Sequence, residues 1–303
     1  MSTGVIVLLG NVLTALLLAP LVWGMGGKVR DWFEGRRGPR VTQLYYDIFK
    51  ELRKSANYSS ATLVFRIAPV MGFCSLVLAA GLMPAGGAAS WLGFAGDLFL
   101  LAALLNVGRF WMALGALDTG VSGNAMGASR DVYYGVMVTP ALFLVLAVLA
   151  VVSGGMTLNG MFAVDTAYRF GCRIMVVLAL LLIYLAESAR MPFEDPDSRY
   201  AAAMVKQGMA RDYSGPEYGL VLYAGALKSW LFASILVLAA LPVMSALPLY
   251  LYWPALFAGV SLVVMGGGVL ETILGRLPMP NVPQYLLLGY GSALLALIFW
   301  LYG

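Results

Sequence analysis

Histidine is absent from this chain, and cysteine occurs only as Cys74 and Cys172. Without imidazole there is no histidine proton shuttle, zinc site or haem ligand, and two distant cysteines cannot hold an iron–sulfur cluster or a nickel site. They read as buried thiols rather than a disulfide. Charge is scarce too. Asp, Glu, Lys and Arg make up 11% of the 303 residues, against roughly 25% in soluble domains. With 61% of residues apolar, the chain cannot build a water-facing surface and reads as an integral membrane protein. No glycine loop for phosphate, low-complexity tract or short repeat is present.

A helix needs about 20 mostly apolar residues to cross the hydrocarbon core. Eight such runs occur, at about 3–25, 63–84, 95–117, 133–153, 171–189, 219–244, 249–271 and 283–302. The expected fold is all-α: one polytopic membrane domain over residues 1–303, with the first span retained rather than cleaved. Basic residues set the orientation. The connections after spans one, three, five and seven, with Arg66 at the adjoining end of span two, hold 15 of the 19 Lys and Arg residues. That side is expected to be cytoplasmic, with both termini opposite. The net charge of +4 then reflects orientation and anionic lipid, not nucleic acid.

Two expected cytoplasmic connections are long, and long ordered loops tend to carry function. In the first, at about 26–62, Val41, Leu44, Tyr45, Ile48, Phe49 and Leu52 recur at helical spacing. Asp47, Lys50, Glu51, Arg53 and Lys54 fall on the other face, which predicts an amphipathic interfacial helix. It lies on lipid or under a partner. The dense basic turn of Arg36, Arg37 and Arg40 favours the partner. The second connection, at about 190–218, gathers Glu194, Asp195 and Asp197 around Pro192 and Pro196, followed by a short helix over about 197–211. Such a cluster can be a plain solvated loop. Its place beside Glu187 and Arg190 gives it functional weight.

Ionisable groups inside spans are costly, by roughly 2.5–3.5 kcal/mol at the helix centre. Arg109 and Lys228 lie within spans, and Glu187 at the end of one. For these three a polar internal path is the stronger expectation, although a structural ion pair gives the same sequence. Asp97, Asp118 and Glu271 sit at span ends, where snorkelling or a salt bridge suffices. Pro140, Gly225 and the glycines at 266–268 allow local kinks or close helix packing.

Four stretches occur in order: RRGPRVTQLYYDIFKELRKS, ALDTGVSGNAMGASRD at 116–131, LAESARMPFEDPD at 185–197 and DYSG at 212–215. Together they resemble the eight-helix membrane subunit shared by respiratory complex I and the group 4 energy-converting nickel–iron hydrogenases. The resemblance spans nearly the whole chain. The 118–120 and 127–130 stretches, Lys228 and the Glu271…Arg276 pair look more like the hydrogenase branch.

The resemblance implies a non-catalytic subunit in a prokaryotic cytoplasmic membrane. This subunit would anchor an arm whose other subunits hold the nickel–iron site and iron–sulfur clusters. The chain itself would bind no metal or cofactor. Expected partners are the hydrogenase large and small subunits, iron–sulfur subunits and antiporter-like membrane subunits. The expected ion-coupling set is Glu187, Arg190, Glu194, Asp195, Asp197, Lys228, Arg109, Asp118 and Glu271. The expected docking set is Arg36, Arg37, Arg40, Asp47, Lys50, Arg130, Asp212 and Tyr213. One departure stands out: related subunits usually carry glutamate nine residues after the arginine of the GASR stretch, where this chain has Thr139. Two other arrangements fit the same sequence, a quinone-site subunit of complex I and a stand-alone secondary transporter.

Overall fold

The computed structural model describes residues 2–56, 62–163, 170–188, 209–210, 212–273 and 282–302. Its described residues form eleven helices. They are α1 (Ser2–Phe33), α2 (Gln43–Leu52), α3 (Leu63–Leu82), α4 (Asp97–Asp118), α5 (Ser122–Ser153) and α6 (Leu158–Ala163), then α7 (Phe170–Glu187), α8 (Pro216–Ala240), α9 (Val243–Ala246), α10 (Leu249–Ile273) and α11 (Val282–Tyr302). Eight of them, α1, α3, α4, α5, α7, α8, α10 and α11, are long and apolar enough to cross a membrane. In hydrocarbon the backbone is satisfied within a helix or around a closed barrel, and continuous apolar runs of about 20 residues fit the helix. Pro20, Pro69, Pro140 and Pro254 sit inside spans without ending them.

Helices α1, α4, α7 and α10 terminate at one end of the bundle, here termed the loop end. Helix α8 is the most enclosed span, packing against α3, α7, α1 and α10, while α2 lies across α8 and α1. Beside α8, α3 pairs with α4 and α4 with α5, and α11 closes on α7 and α5. Leu146 and Leu149 of α5, Ile183 and Tyr184 of α7 and Leu227 of α8 form the sealed centre. Leu17, Val136, Leu262, Leu287 and Leu288 face outward, as lipid requires. Among the glycines at 266–268, Gly268 serves close packing. A Cβ there would lie 2.6 Å from the Gly26 carbonyl, whereas one at Gly266 would meet nothing within 4 Å.

Two spans run past the apolar segments expected from sequence. Helix α1 continues from the expected 25 to Phe33, and α5 begins at Ser122 rather than 133. The extra turns are polar and carry no hydropathy signal, but their backbone stays helical. The interfacial helix forms as expected, over Gln43–Leu52 with Ile48 buried. The expected helix at 197–211 falls almost wholly outside the described residues.

Candidate functional site: a buried charge cluster at the loop end

Four charged side chains from four helices meet inside the bundle. Arg109 of α4 donates through Nη2 to Oε1 of Glu187 at 2.5 Å, and its Nε lies 3.2 Å from Oδ2 of Asp131 on α5. The other Glu187 oxygen, Oε2, pairs with Nζ of Lys228 on α8. Solvent exposure of these side chains runs from 4% for Glu187 to 15% for Lys228. Among the described residues, two cations face two carboxylates, so these four side chains sum to zero charge. Neutrality is what makes burial tolerable, since an uncompensated ion at this depth costs several kcal/mol.

The helix register explains the convergence. Gly135 stands four residues after Asp131 on the same face of α5, and a Cβ there would lie 2.3 Å from Arg109 Nη1. Its hydrogen side chain leaves the space that the guanidinium fills. Arg109 lies nine residues before the loop end of α4, about 14 Å at 1.5 Å per residue. Glu187 is the last residue of α7, so the cluster lies at the root of the second long connection.

Beside it, α3, α4, α5 and α8 line an open-sided cavity of about 110 Å³, room for several waters. Arg109, Asp131 and Lys228 provide its charged wall, and Pro69, Leu76, Leu105 and Val221 are among its apolar lining. Met209, at the end of the second connection, touches the same cavity. Deeper in the bilayer, Thr139 donates to Asn106 Oδ1 at 2.7 Å. Asn106 is one turn from Arg109 on α4 and Thr139 two turns from Asp131 on α5. Thr139, where the resemblance leads to the expectation of glutamate, thus forms an uncharged hydrogen-bonded pair with Asn106.

The other expected site residues lie elsewhere. Asp118 accepts from the Thr62 hydroxyl and, at 3.2 Å, from the Phe65 N–H, so it caps the start of α3. Glu271 pairs with Arg30 at 3.3 Å, which also meets Asp31. Neither joins the cluster. Among the expected docking residues, Arg36, Arg37, Arg40 and Lys50 are exposed. Asp47 accepts from Gln43 at 2.9 Å, and Arg130 is half-buried. Asp212 accepts from Asn124 at 2.5 Å. Tyr213 is turned inward at 4% exposure and stacks on Phe65 with ring centres 4.2 Å apart. Burial, with Glu217 and Asp118 nearby, pushes its phenol up, so it stays protonated. Arg190, Glu194, Asp195 and Asp197 lie outside the described residues. Among the described residues, no three carboxylates or thiols gather as a metal site.

Sequence reasoning misses Asp131 and Asn106. Asp131 follows Arg130 in a stretch that reads as a polar loop, and only the early start of α5 buries it.

Residues 5–301 match the NADH dehydrogenase family. The chain belongs to that family. The chain is 32% identical over 308 residues to hydrogenase-4 component C of Escherichia coli, covering 99% of this chain and 96% of that one. It is 31% identical over 300 residues to formate hydrogenlyase subunit 4 of the same organism, covering 94% and 95%. Its fold is shared with a chain of the membrane-bound sulfane sulfur reductase, an archaeal respiratory membrane complex. The TM-score there is 0.78, with 17% identity, 95% of this chain covered and 98% of the other. Membership of the NADH dehydrogenase family thus covers the eight spans and all four members of the cluster.

Proposed function

We propose that this chain is the membrane subunit of an energy-converting hydrogenase-type complex. In this role it anchors the hydrophilic nickel–iron and iron–sulfur arm and couples that arm's electron transfer to proton or sodium movement. The arm docks at the loop end, on the cytoplasmic side of a prokaryotic inner membrane. Relatives named as components of hydrogenase-4 and formate hydrogenlyase favour this arrangement over a quinone-site subunit or a lone transporter.

The observation that carries the coupling role is Glu187, shared between Arg109 and Lys228 at the root of the acidic connection. A carboxylate between two cations is poised between partners. A change of charge in the arm or in the connection alters the balance between the two pairings, and Lys228 and Asp131 pass the change to the cavity wall. Arg109 stays charged throughout because guanidinium does not deprotonate in proteins. It positions the two carboxylates, while Glu187, Asp131 and Lys228 are the groups able to exchange protons with cavity water. Arg190, Glu194, Asp195 and Asp197, which follow Glu187 in the sequence, belong to the same proposed route. Arg40, Asp47 and Lys50 belong to the docking surface.

Glu187→Gln tests this in the assembled complex. The expected result is retained copurification of the soluble subunits with hydrogen turnover or ion movement lowered at least tenfold. Full turnover together with full ion movement would remove Glu187 from the coupling route.

A further inference from the structure

The basic residues of the first long connection are not equivalent. Arg30 is held by Asp31 and Glu271, each at 3.3 Å. Lys28, Arg36 and Arg37 instead line an open depression of about 560 Å³ with Val29, Trp32 and Gly38. Among the described residues, no carboxylate lines it. Arg36 reaches Glu34 at 3.6 Å, at an exposed site outside that lining. Three cations therefore line one space, with Glu34 beside Arg36 and the Asp31 carboxylate behind Gly38.

Its depth identifies the guest. The apolar run of α1 from Val5 to Met25 is long enough to cross the hydrocarbon core of about 30 Å. Lys28 then lies about 4–5 Å past the boundary, and the headgroup layer extends roughly 5–7 Å on each side. Helical side chains lean toward the helix N-terminus, which for α1 is back toward the membrane. That brings Trp32, 75% exposed and four residues after Lys28 on the same face, down to the headgroup level with Phe33 edge-on beside it. Exposed aromatics at this level are the interfacial belt of membrane proteins. Clustered Lys and Arg at the same level attract anionic lipid.

We propose that this depression binds the phosphate headgroup of an anionic phospholipid. Lys28, Arg36 and Arg37 hold the phosphate oxygens, and the Trp32 indole packs along the glycerol backbone. Arg36 and Arg37 thereby leave the protein-docking surface, which keeps Arg40, Asp47 and Lys50. This site does not depend on the coupling role of Glu187.

The test compares the wild-type chain with Lys28→Gln/Arg37→Gln, each purified from its membrane with its accompanying subunits. Tightly bound lipid is measured by native mass spectrometry, and affinity is measured for nanodiscs of phosphatidylglycerol and of phosphatidylcholine. The wild type is expected to retain anionic phospholipid and prefer phosphatidylglycerol. Each charge removed should weaken that preference roughly fivefold, so the double variant weakens it about twenty-five-fold. Lys28→Arg/Arg37→Lys, which keeps the charges, should retain the lipid. Equal retention by the glutamine variant would overturn the site, as would equal affinity for the two nanodiscs. Loss of accompanying soluble subunits with lipid retention unchanged would also overturn it and return these residues to protein docking. Saturation by inorganic phosphate without lipid retention would make it a free-anion site instead.

Discussion

The two oxygens of Glu187 serve different cations, Oε1 accepting from Arg109 and Oε2 pairing with Lys228. This sharing makes the two contacts energetically dependent. Removing one partner of a buried pair typically costs about 3–5 kcal/mol because the other charge is stranded. Glu187→Gln and Lys228→Met should each lower the thermal stability of the purified complex, while the double variant, which strands neither, should lose less than the sum. A coupling energy of about 1–3 kcal/mol is expected from a thermal-unfolding cycle. Additivity within about 0.5 kcal/mol would mean that the two side chains act independently.

Asp131 provides the second test. It lies 3.2 Å from Arg109 and lines the cavity, but Arg109 keeps Glu187 when Asp131 is neutralised. Asp131→Asn takes the four-residue cluster from neutral to +1. The complex should assemble with all its subunits, and ion movement should fall while Glu187 still holds Arg109. Vesicles carrying the Asp131→Asn complex that retain wild-type ion movement would limit Asp131 to balancing charge.

How much of this can be read in advance differs by feature. Hydropathy marks the eight spans because lipid punishes polar residues at every position. Arg109, Lys228 and Glu187 stand out for the same reason. What hydropathy misses is a helix continuing where the surroundings are protein or water. The first turns of α5 carry Ser122, Asn124 and Ser129, which read as loop residues, yet Asn124 is buried and bonded to Asp212. Asp131 sits in the same polar stretch and is lost with it. The meeting of α4, α5, α7 and α8 at one carboxylate is a tertiary fact with no local signature. Tyr213, expected to face a partner, packs inward because Phe65 and the bare face of Gly115 receive its ring. A Cβ at Gly115 would lie 2.3 Å from its hydroxyl.

That hydroxyl is buried and has no hydrogen-bond partner among the described residues. An apolar group of the same shape should therefore replace it at almost no cost. Tyr213→Phe is expected to keep stability within about 0.5 kcal/mol of wild type and to keep the stacking on Phe65. A measured loss above about 1 kcal/mol would show that the second long connection supplies an acceptor to this hydroxyl.

The cavity beside the cluster can be tested by filling it without touching a charge. Gly225 of α8 lies on its wall, is exposed, and has open space where a Cβ would stand. Gly225→Leu should fold normally, because its Cβ meets nothing within 4 Å and it gains roughly 0.5–1 kcal/mol of helix propensity over glycine. Its side chain would displace cavity water beside Arg109, Asp131 and Lys228. If those groups exchange protons through that water, ion movement falls while thermal stability holds or rises. Gly135→Ala is the contrasting change, since its methyl would drive into Arg109 Nη1 and push the guanidinium off both carboxylates. It should lower stability and ion movement together. A Gly225→Leu complex with unchanged ion movement would exclude the cavity as the path and confine the coupling to direct contacts around Glu187.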